Sequence, residues 1–334
     1  MKKTNLEEAC NTAVLLLVFN RPETTRCVFL KIREAKPRRL YIAADGQRPG
    51  IDGEAELCRK VREISTAVDW DCEVKTRFLE ENQGCKLAVS SAISWFFENE
   101  EYGIILEDDC LPDGSFFQFC GELLERYRDD SRIMMISGTN IEQETAGKNS
   151  YDFSRYPHIW GWATWRRAWQ FYDDTMNAWP QFRQSETFRT MFDGRTSRYW
   201  RNVFDRAYEN RINSWASVWA LCYFVKGGLS IFPASNLVSN IGNLAEGTHT
   251  NIFFDTAMGS QLFPLAFPLI HPDKIKINEK YDLLAYKKQN PIAVVWFVRI
   301  FRYLAYALVH KDISFRKVLG EVYGKVRGRL YLKK

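Results

Sequence analysis

Apolar runs of strand length alternate with helical segments through the first 140 residues, and this alternation restricts the possible folds. The first run, residues 13–19, is followed by Pro22, at a position where the first turn of a helix accepts proline. Strands separated by helices of this size predict an α/β fold: a mostly parallel sheet with helices on both faces. The predicted strands are 13–19, 40–45, 72–79, 103–109 and 132–137, and the helices between them begin near residues 22, 54, 86 and 115.

Polar residues directly follow four of these predicted strands. The carboxyl ends of parallel strands meet at one edge of a sheet, so we expect these side chains to form one site. No GxGxxG follows the first strand and no GxxxxGK[ST] occurs, which argues against dinucleotide-binding and P-loop folds. The residues are Asn20 and Arg21, Asp45 and Gly46, 82–84, and Glu107, Asp108 and Asp109.

Three consecutive carboxylates, Glu107, Asp108 and Asp109, follow the fourth strand. Adjacent like charges repel one another unless a cation lies among them. Oxygen ligands of this kind suit Mg²⁺ or Mn²⁺, which also bind diphosphates. The residues alone are equally compatible with a solvated acidic turn, and the strand context favours the metal site.

Six motifs together resemble the bacterial nucleotide-diphospho-sugar transferases of the GT-A glycosyltransferase fold. They are VFNRPETT, YIAADG, ENQGC, GIILEDDCLP, PHIWGWATWRRAW, and NLVSNIG followed by THT. The resemblance covers about residues 13–275. It implies a Rossmann-like GT-A domain over 1–290, with the sugar-donor half at about 13–140 and the acceptor half at about 141–275. The activity implied is transfer of a sugar from a nucleotide diphosphate to an acceptor.

The same resemblance implies roles for particular residues. Asp109 would bind Mn²⁺ or Mg²⁺ directly and His249 would complete the coordination. Glu107 and Asp108 would hold the ribose and the sugar or metal-bound waters. Asp45 would read the base, and because a carboxylate can accept the imide N–H of uracil, the expected donor is a UDP-sugar. The donor-binding residues are then Phe19, Asn20, Arg21, Asp45, Asn82, Gly84, Lys86, Glu107 and Asp108.

Four tryptophans crowd the segment HIWGWATWRRAW, in a chain whose aromatic content is 15%. Sugar rings stack well on such side chains, so an acceptor site is one interpretation, and a Trp-rich core is the other. On the first interpretation the acceptor-binding residues are Trp160, Trp162 and Trp215.

One position departs from the family pattern. Relatives commonly carry WD-x-x-W, whose aspartate deprotonates the acceptor, whereas this chain reads Trp215-Ala216-Ser217-Val218-Trp219. Neither Ala216 nor Ser217 can act as the base of an inverting transferase. Three explanations stay open: another acid such as Glu246 takes over, the mechanism is retaining, or activity is reduced. The catalytic base is therefore not assigned.

The C-terminal segment 291–334 holds ten Lys and Arg against Asp312 and Glu321, a net charge of +8. The chain total of +5 leaves −3 for residues 1–290, which argues against nucleic acid as a partner. Residues 291–311 are apolar and aromatic but are interrupted by Arg299 and Arg302, so a membrane-spanning helix is not expected. The pattern is typical of an amphipathic helix on an anionic membrane surface, or of one packed on the body or a second subunit in a homodimer.

The first twelve residues lack the apolar stretch of a signal peptide, so we expect a cytoplasmic protein, peripheral on the inner membrane face. The eight cysteines show no CxxC pairing and are read as reduced thiols. The leading hypothesis is a metal-dependent glycosyltransferase acting on a glycan or lipid-linked acceptor in surface polysaccharide biosynthesis. The alternative is a noncatalytic sugar-nucleotide or glycan-binding protein. A sugar nucleotidyltransferase is less favoured, because the glycine-rich triphosphate loop is missing.

Overall fold

The computed structural model describes residues 11–141, 148–242 and 261–289, with side chains up to residue 285 in the last helix. The strands are β1 (Val14–Val18), β2 (Arg39–Ala44), β3 (Glu73–Phe78), β4 (Tyr102–Glu107), β5 (Cys110–Pro112), β6 (Ile133–Ser137), β7 (Tyr151–Ser154), β8 (Trp162–Trp165), β9 (Leu229–Pro233) and β10 (Val238–Asn240). The helices are α1 (Pro22–Ala35), α2 (Glu54–Thr66), α3 (Gly84–Asn99), α4 (Gly114–Arg126), α5 (Arg166–Trp169), α6 (Trp179–Phe182), α7 (Glu186–Met191), α8 (Gly194–Tyr208), α9 (Trp215–Val225) and α10 (Glu279–Gln289).

Eight strands form a mostly parallel central sheet in the order β3-β2-β1-β4-β8-β6-β9-β7. Strands β3, β2, β1 and β4 are parallel neighbours, β8 is antiparallel to both β4 and β6, β9 is parallel to β6, and β7 is antiparallel to β9. The predicted α/β class and the five predicted strands are confirmed. Sequence analysis did not predict the insertion of β8 between β4 and β6.

The central strand β1 is buried on both faces, as its continuous apolar sequence predicts. Leu15 and Leu17 pack into one core with α3 and α9, while Val14, Leu16 and Val18 pack into a second core with α1 and α4. Because side chains alternate along a strand, an uninterrupted apolar run can satisfy two helical layers at once.

A second, two-stranded sheet pairs β5 with β10 in antiparallel register, and Asn240 lies opposite Cys110. Beyond this pair, the Ile241 amide donates to the carbonyl oxygen of Asp109 at 2.8 Å. This small sheet therefore brings residues 240–242 from the second half of the chain against the acidic triplet.

Five tryptophans, Trp162, Trp165, Trp169, Trp215 and Trp219, are buried in the core. Trp162 and Trp215 stack with ring centroids 5.7 Å apart and planes at 16°. Five of the eleven tryptophans thus serve as packing volume in β8, α5 and α9.

The described elements up to residue 286 belong to one compact unit. The tail 291–334, together with Glu246 and His249, lies outside the described residues, so the boundary at 290 stays a prediction. The cysteines within the described ranges are thiols that form no disulfide. None of the helices described is long and apolar enough to cross a membrane.

Candidate functional site

A cavity of about 480 Å³ opens at the carboxyl ends of β1, β2 and β4, where the sequence placed the site. Its volume is within the range of small-molecule sites in proteins. The N-terminal ends of α3 and α9 form the opposite wall. Predicted residues that line it are Phe19, Arg21, Asp45, Asn82, Gly84, Glu107, Asp108, Asp109, Trp160, Trp215 and Ala216.

Arg21 joins the ends of β1 and β4. Its Nη1 donates to Asp109 Oδ2 at 2.7 Å, and its Nη2 donates to Asp108 Oδ1. The Phe19 amide donates to Asp108 Oδ2 at 3.2 Å. Burial lowers the pKa of Arg21, but attraction to Asp108 and Asp109 outweighs it, so the pKa lies above its ordinary value. One guanidinium thus provides a cation for both aspartates.

Two acids of the triplet have pKa values above their ordinary range. Burial raises the pKa of Glu107, and the nearby charges of Asp109 and Asp108 raise it further. Burial also raises the pKa of Asp108, although Arg21 opposes this shift. Excess negative charge is costly here, so the site favours a cationic group.

The donor set suits a hard divalent cation, because carboxylate oxygens are the ligands that Mg²⁺ and Mn²⁺ prefer. Gly242 has no side chain and so leaves room beside these carboxylates. A Cβ at this position would lie 2.6 Å from Asp109 Oδ2 and 2.9 Å from Arg21 Nη1. Arg21 already takes one oxygen of each aspartate, so a metal at Asp109 would share the site with the guanidinium or replace it. Within the described ranges no three Asp, Glu, His or Cys residues surround a metal position.

Asp45 has a different environment from the one that base recognition requires. Its Oδ1 accepts from the amides of Gly46 and Gln83, both at 2.8 Å. Its Oδ2 accepts from Asn82 Nδ2 at 3.0 Å and from the Gly84 amide at 2.9 Å. A carboxylate has about four acceptor positions, and these bonds occupy them. Asp45 therefore fastens the loop between β3 and α3 to the end of β2, and it could read a base only by giving up one of these bonds.

The loop after β3 is closely fitted to this arrangement. Asn82 Nδ2 also donates to the Gly46 carbonyl at 2.8 Å. Gly46 approaches the Glu81 backbone so closely that a Cβ would lie 2.3 Å from its carbonyl carbon. Gly84 has a φ of +78°, which favours glycine, and a Cβ there would lie 2.6 Å from Asn213 Nδ2. These contacts position the N-terminus of α3 at the cavity.

Two of the residues predicted to bind the sugar donor, Lys86 and Asn20, do not line the cavity. Lys86 Nζ donates to the Asp174 carbonyl at 2.8 Å, and its amide donates to Asn213 Oδ1 at 2.9 Å. Asn20 Nδ2 donates to Glu54 Oε1 at 2.9 Å. Lys86 and Asn20 thus support the loops around the cavity, because their polar groups are bound to protein partners.

Sequence analysis missed the ion pair that stabilises the loop after β2. Glu54 is 1% exposed and accepts from the Arg48 amide at 2.6 Å and from Arg48 Nε at 3.0 Å. Arg48 also lies over the ring of Phe19, with its guanidinium carbon 5.6 Å from the centroid. An acid in a first helical turn is common, so Glu54 gave no signal in the sequence. Other lining residues that were missed are Arg77, Asn213, Ser214 and Asn240.

The three predicted acceptor residues differ in position. Trp160 is half-buried and lines the cavity, while Trp215 lines it as part of α9. Trp162 is 1% exposed and Trp215 is 2% exposed, and the two rings stack on each other, so neither can stack on an acceptor in this conformation. Ala216 follows at the start of α9, and among the described residues that line the cavity none places a carboxylate on α9.

No family model matches the chain, and no curated protein matches it. Among solved structures, it is similar to a UDP-glucose pyrophosphorylase complexed with UDP-glucose, at 9% sequence identity. That match covers 66% of this chain and 89% of the other, with a TM-score of 0.32. A likeness of this size carries no argument about activity, so the proposal below depends on the site and on the motif resemblance.

Proposed function

We propose that this chain is a glycosyltransferase that takes a sugar from a nucleotide diphosphate and transfers it to a glycan or lipid-linked acceptor. The observation that carries the proposal is the shared cavity. It brings Arg21 and the acidic triplet from the first half of the chain together with the half-buried Trp160 from the second. A diphosphate needs cations, and a sugar favours an aromatic wall, and both lie in this one cavity.

Different residues of the chain would contact the diphosphate, the nucleoside and the acceptor sugar. Arg21 would turn from the aspartates toward the diphosphate and stabilise the charge on the departing nucleotide. Trp160 would hold the acceptor sugar against the cavity wall. Phe19 and its neighbours at the end of β1 would enclose the nucleoside. The choice of UDP among nucleotides depends on Asp45, which would accept the imide N–H of uracil only by giving up one of its bonds to the loop.

Asp109 would hold Mn²⁺ or Mg²⁺, which when bound would supply Lewis-acid stabilisation of the leaving diphosphate. No base is assigned, because Ala216 stands at the expected position and cannot accept a proton. Surface polysaccharide biosynthesis, a cytoplasmic location and attachment to the inner membrane face belong to the same proposal. They follow from the motif resemblance and from the charge of segment 291–334.

A noncatalytic sugar-nucleotide-binding protein is the second candidate, and the missing carboxylate at Ala216 is the observation that favours it. Turnover separates the two. The experiment incubates nucleotide diphosphate sugars with Mn²⁺ and follows release of the nucleoside diphosphate by chromatography, with and without oligosaccharide acceptors. Release that is lost in Asp109→Asn supports the transferase. Tight nucleotide binding without release would contradict it.

The matched control for this experiment is Asp69→Asn. Asp69 also pairs with an arginine, Arg33, but the pair lies exposed on the surface. Equal loss of release in both variants would show that the assay responds to general damage and not to the cavity.

A further inference from the structure

The helix α8 presents a basic stripe to solvent. Four residues of the stripe, Arg195, Arg198, Asn202 and Arg206, are exposed at helical spacings of three, four and four, and Tyr199 lies between them with 39% exposure. Residues at these spacings share one face of a helix. The opposite face, with Thr196, Phe204 and Ala207, is buried.

The arginines of the basic stripe differ from their neighbours in having no close acidic partner. Arg183 pairs with Asp205 at 3.0 Å, Arg211 pairs with Glu209, and Arg201 lies over the Phe188 ring. No ion pair within 4 Å involves Arg195, Arg198 or Arg206 among the described residues.

Asp193, which caps the helix, is an acid at the N-terminal end of the basic stripe. Its carboxylate accepts from the amides of Arg195 and Thr196, and its pKa is lowered, chiefly by the Thr196 amide. It offsets one of the three positive charges. The stripe keeps an excess of positive charge on a body that is acidic overall, with a net charge of −3 over residues 1–290.

Helix α8, which carries the basic stripe, is close in sequence to residues that line the cavity. Helix α8 packs against α9, whose first residues line the cavity. Asn213, at the cavity, follows Tyr208 by five residues, which limits the separation of their Cα atoms to about 18 Å. A flat anionic surface bound by α8 would therefore be held near the rim.

We propose that the basic stripe of α8 is a docking surface for an anionic phospholipid membrane. Arginines without partners gain most from a surface dense in negative charge, and a half-exposed tyrosine among them suits the membrane–water interface. The inference does not depend on the proposed activity, because vesicle binding requires neither sugar nor turnover.

The test uses the full chain and vesicles of phosphatidylcholine with and without phosphatidylglycerol, with binding measured by flotation over a range of lipid concentrations. We expect removal of the three arginines to weaken binding to anionic vesicles about tenfold or more, and the control to change it less than about twofold. The control removes the same charge from exposed positions around α1. The stripe variant is Arg195→Gln with Arg198→Gln and Arg206→Gln, and the control is Arg26→Gln with Lys36→Gln and Arg38→Gln.

Equal losses in the two variants would show a response to net charge and overturn the assignment of the basic stripe. No loss in either would overturn it as well, since segment 291–334 is intact in both. Binding of an acidic polysaccharide that is lost in the stripe variant, with vesicle binding unchanged, would replace the membrane by a glycan. Tyr199→Ser supplies a second measurement: we expect it to weaken vesicle binding and to leave far-ultraviolet circular dichroism unchanged.

Discussion

Arg21 binds Asp109 through a 2.7 Å hydrogen bond and also binds Asp108, so one guanidinium bridges two buried aspartates. The two aspartates follow β4 and the arginine follows β1, and the parallel pairing of these strands brings them together. The cation that the acidic triplet needs is therefore present in the chain itself. A divalent metal, if it binds, does so in competition with Arg21 or beside it.

The first prediction concerns the energetic role of this bridge. We expect Arg21→Ala to lower the free energy of unfolding by about 3 kcal/mol, because removal of one partner leaves buried charge without compensation. Urea unfolding with and without Mn²⁺ measures it. Mn²⁺ should restore part of the loss in the variant and change the wild type less. The control Arg33→Ala breaks the exposed pair with Asp69 and should lower the free energy of unfolding much less. An Arg21→Ala variant as stable as the wild type would show that the bridge does not stabilise the folded protein.

The second prediction is that Asp109→Asn removes metal-dependent nucleotide binding and keeps the fold. Asp108 would still hold Arg21, so the loop after β1 keeps its anchor, whereas an amide is a poorer ligand for a hard cation. Calorimetry with UDP, in the presence and absence of Mn²⁺, measures the difference. The same Mn²⁺ dependence in wild type and variant would show that Asp109 is not a metal ligand.

The third prediction concerns Asp45 as the residue that organises the loop. In Asp45→Asn the amide nitrogen would face two N–H donors, so we expect a loss of stability of about 2 kcal/mol. The affinities for UDP, GDP and ADP should fall by one common factor, because the whole loop is disturbed. A loss confined to UDP would instead make Asp45 the residue that reads the base.

The sequence predicted the first half of the fold well for a physical reason. Strands β1, β2, β4 and β6 are short apolar runs that are mostly buried, and helix α1 starts at a recognisable position, Pro22. The place of β8 in the sheet depends on contacts distant in the chain, such as Ile104 with Ala163, which no local pattern encodes.

The sequence predicted which residues lie near the cavity but not which contacts they make. Arg21, Asp108 and Asp109 were correctly brought together because they follow neighbouring parallel strands. The bonds of Asp45 come from a loop about forty residues later, and the same residue type serves a ligand or a loop equally well. Trp160, Trp162 and Trp215 have equivalent sequence signals, and only the fold shows that Trp162 and Trp215 are buried while Trp160 is half-buried at the cavity.

The last prediction uses His158, which lies close in sequence to Trp160. The ring is 6% exposed, its Nε2 has no hydrogen-bond partner among the described residues, and burial lowers its pKa to about 4. The unfolded chain has an ordinary histidine pKa of about 6.5. Between these values the unfolded state binds a proton that the folded state does not.

The free energy of unfolding should therefore fall as the pH decreases from about 6.5 toward 4, by about 2 kcal/mol at pH near 5. His158→Phe keeps a ring against Tyr281, with which His158 makes an edge contact at 5.9 Å, and it removes the titrating group. We expect urea unfolding at several pH values to show a shallower acid dependence in this variant. The control His271→Phe alters a half-buried histidine whose pKa is lowered less and should change the dependence less. Parallel pH profiles for wild type and His158→Phe would show that His158 is protonated in the folded protein at the same pH as in the unfolded chain.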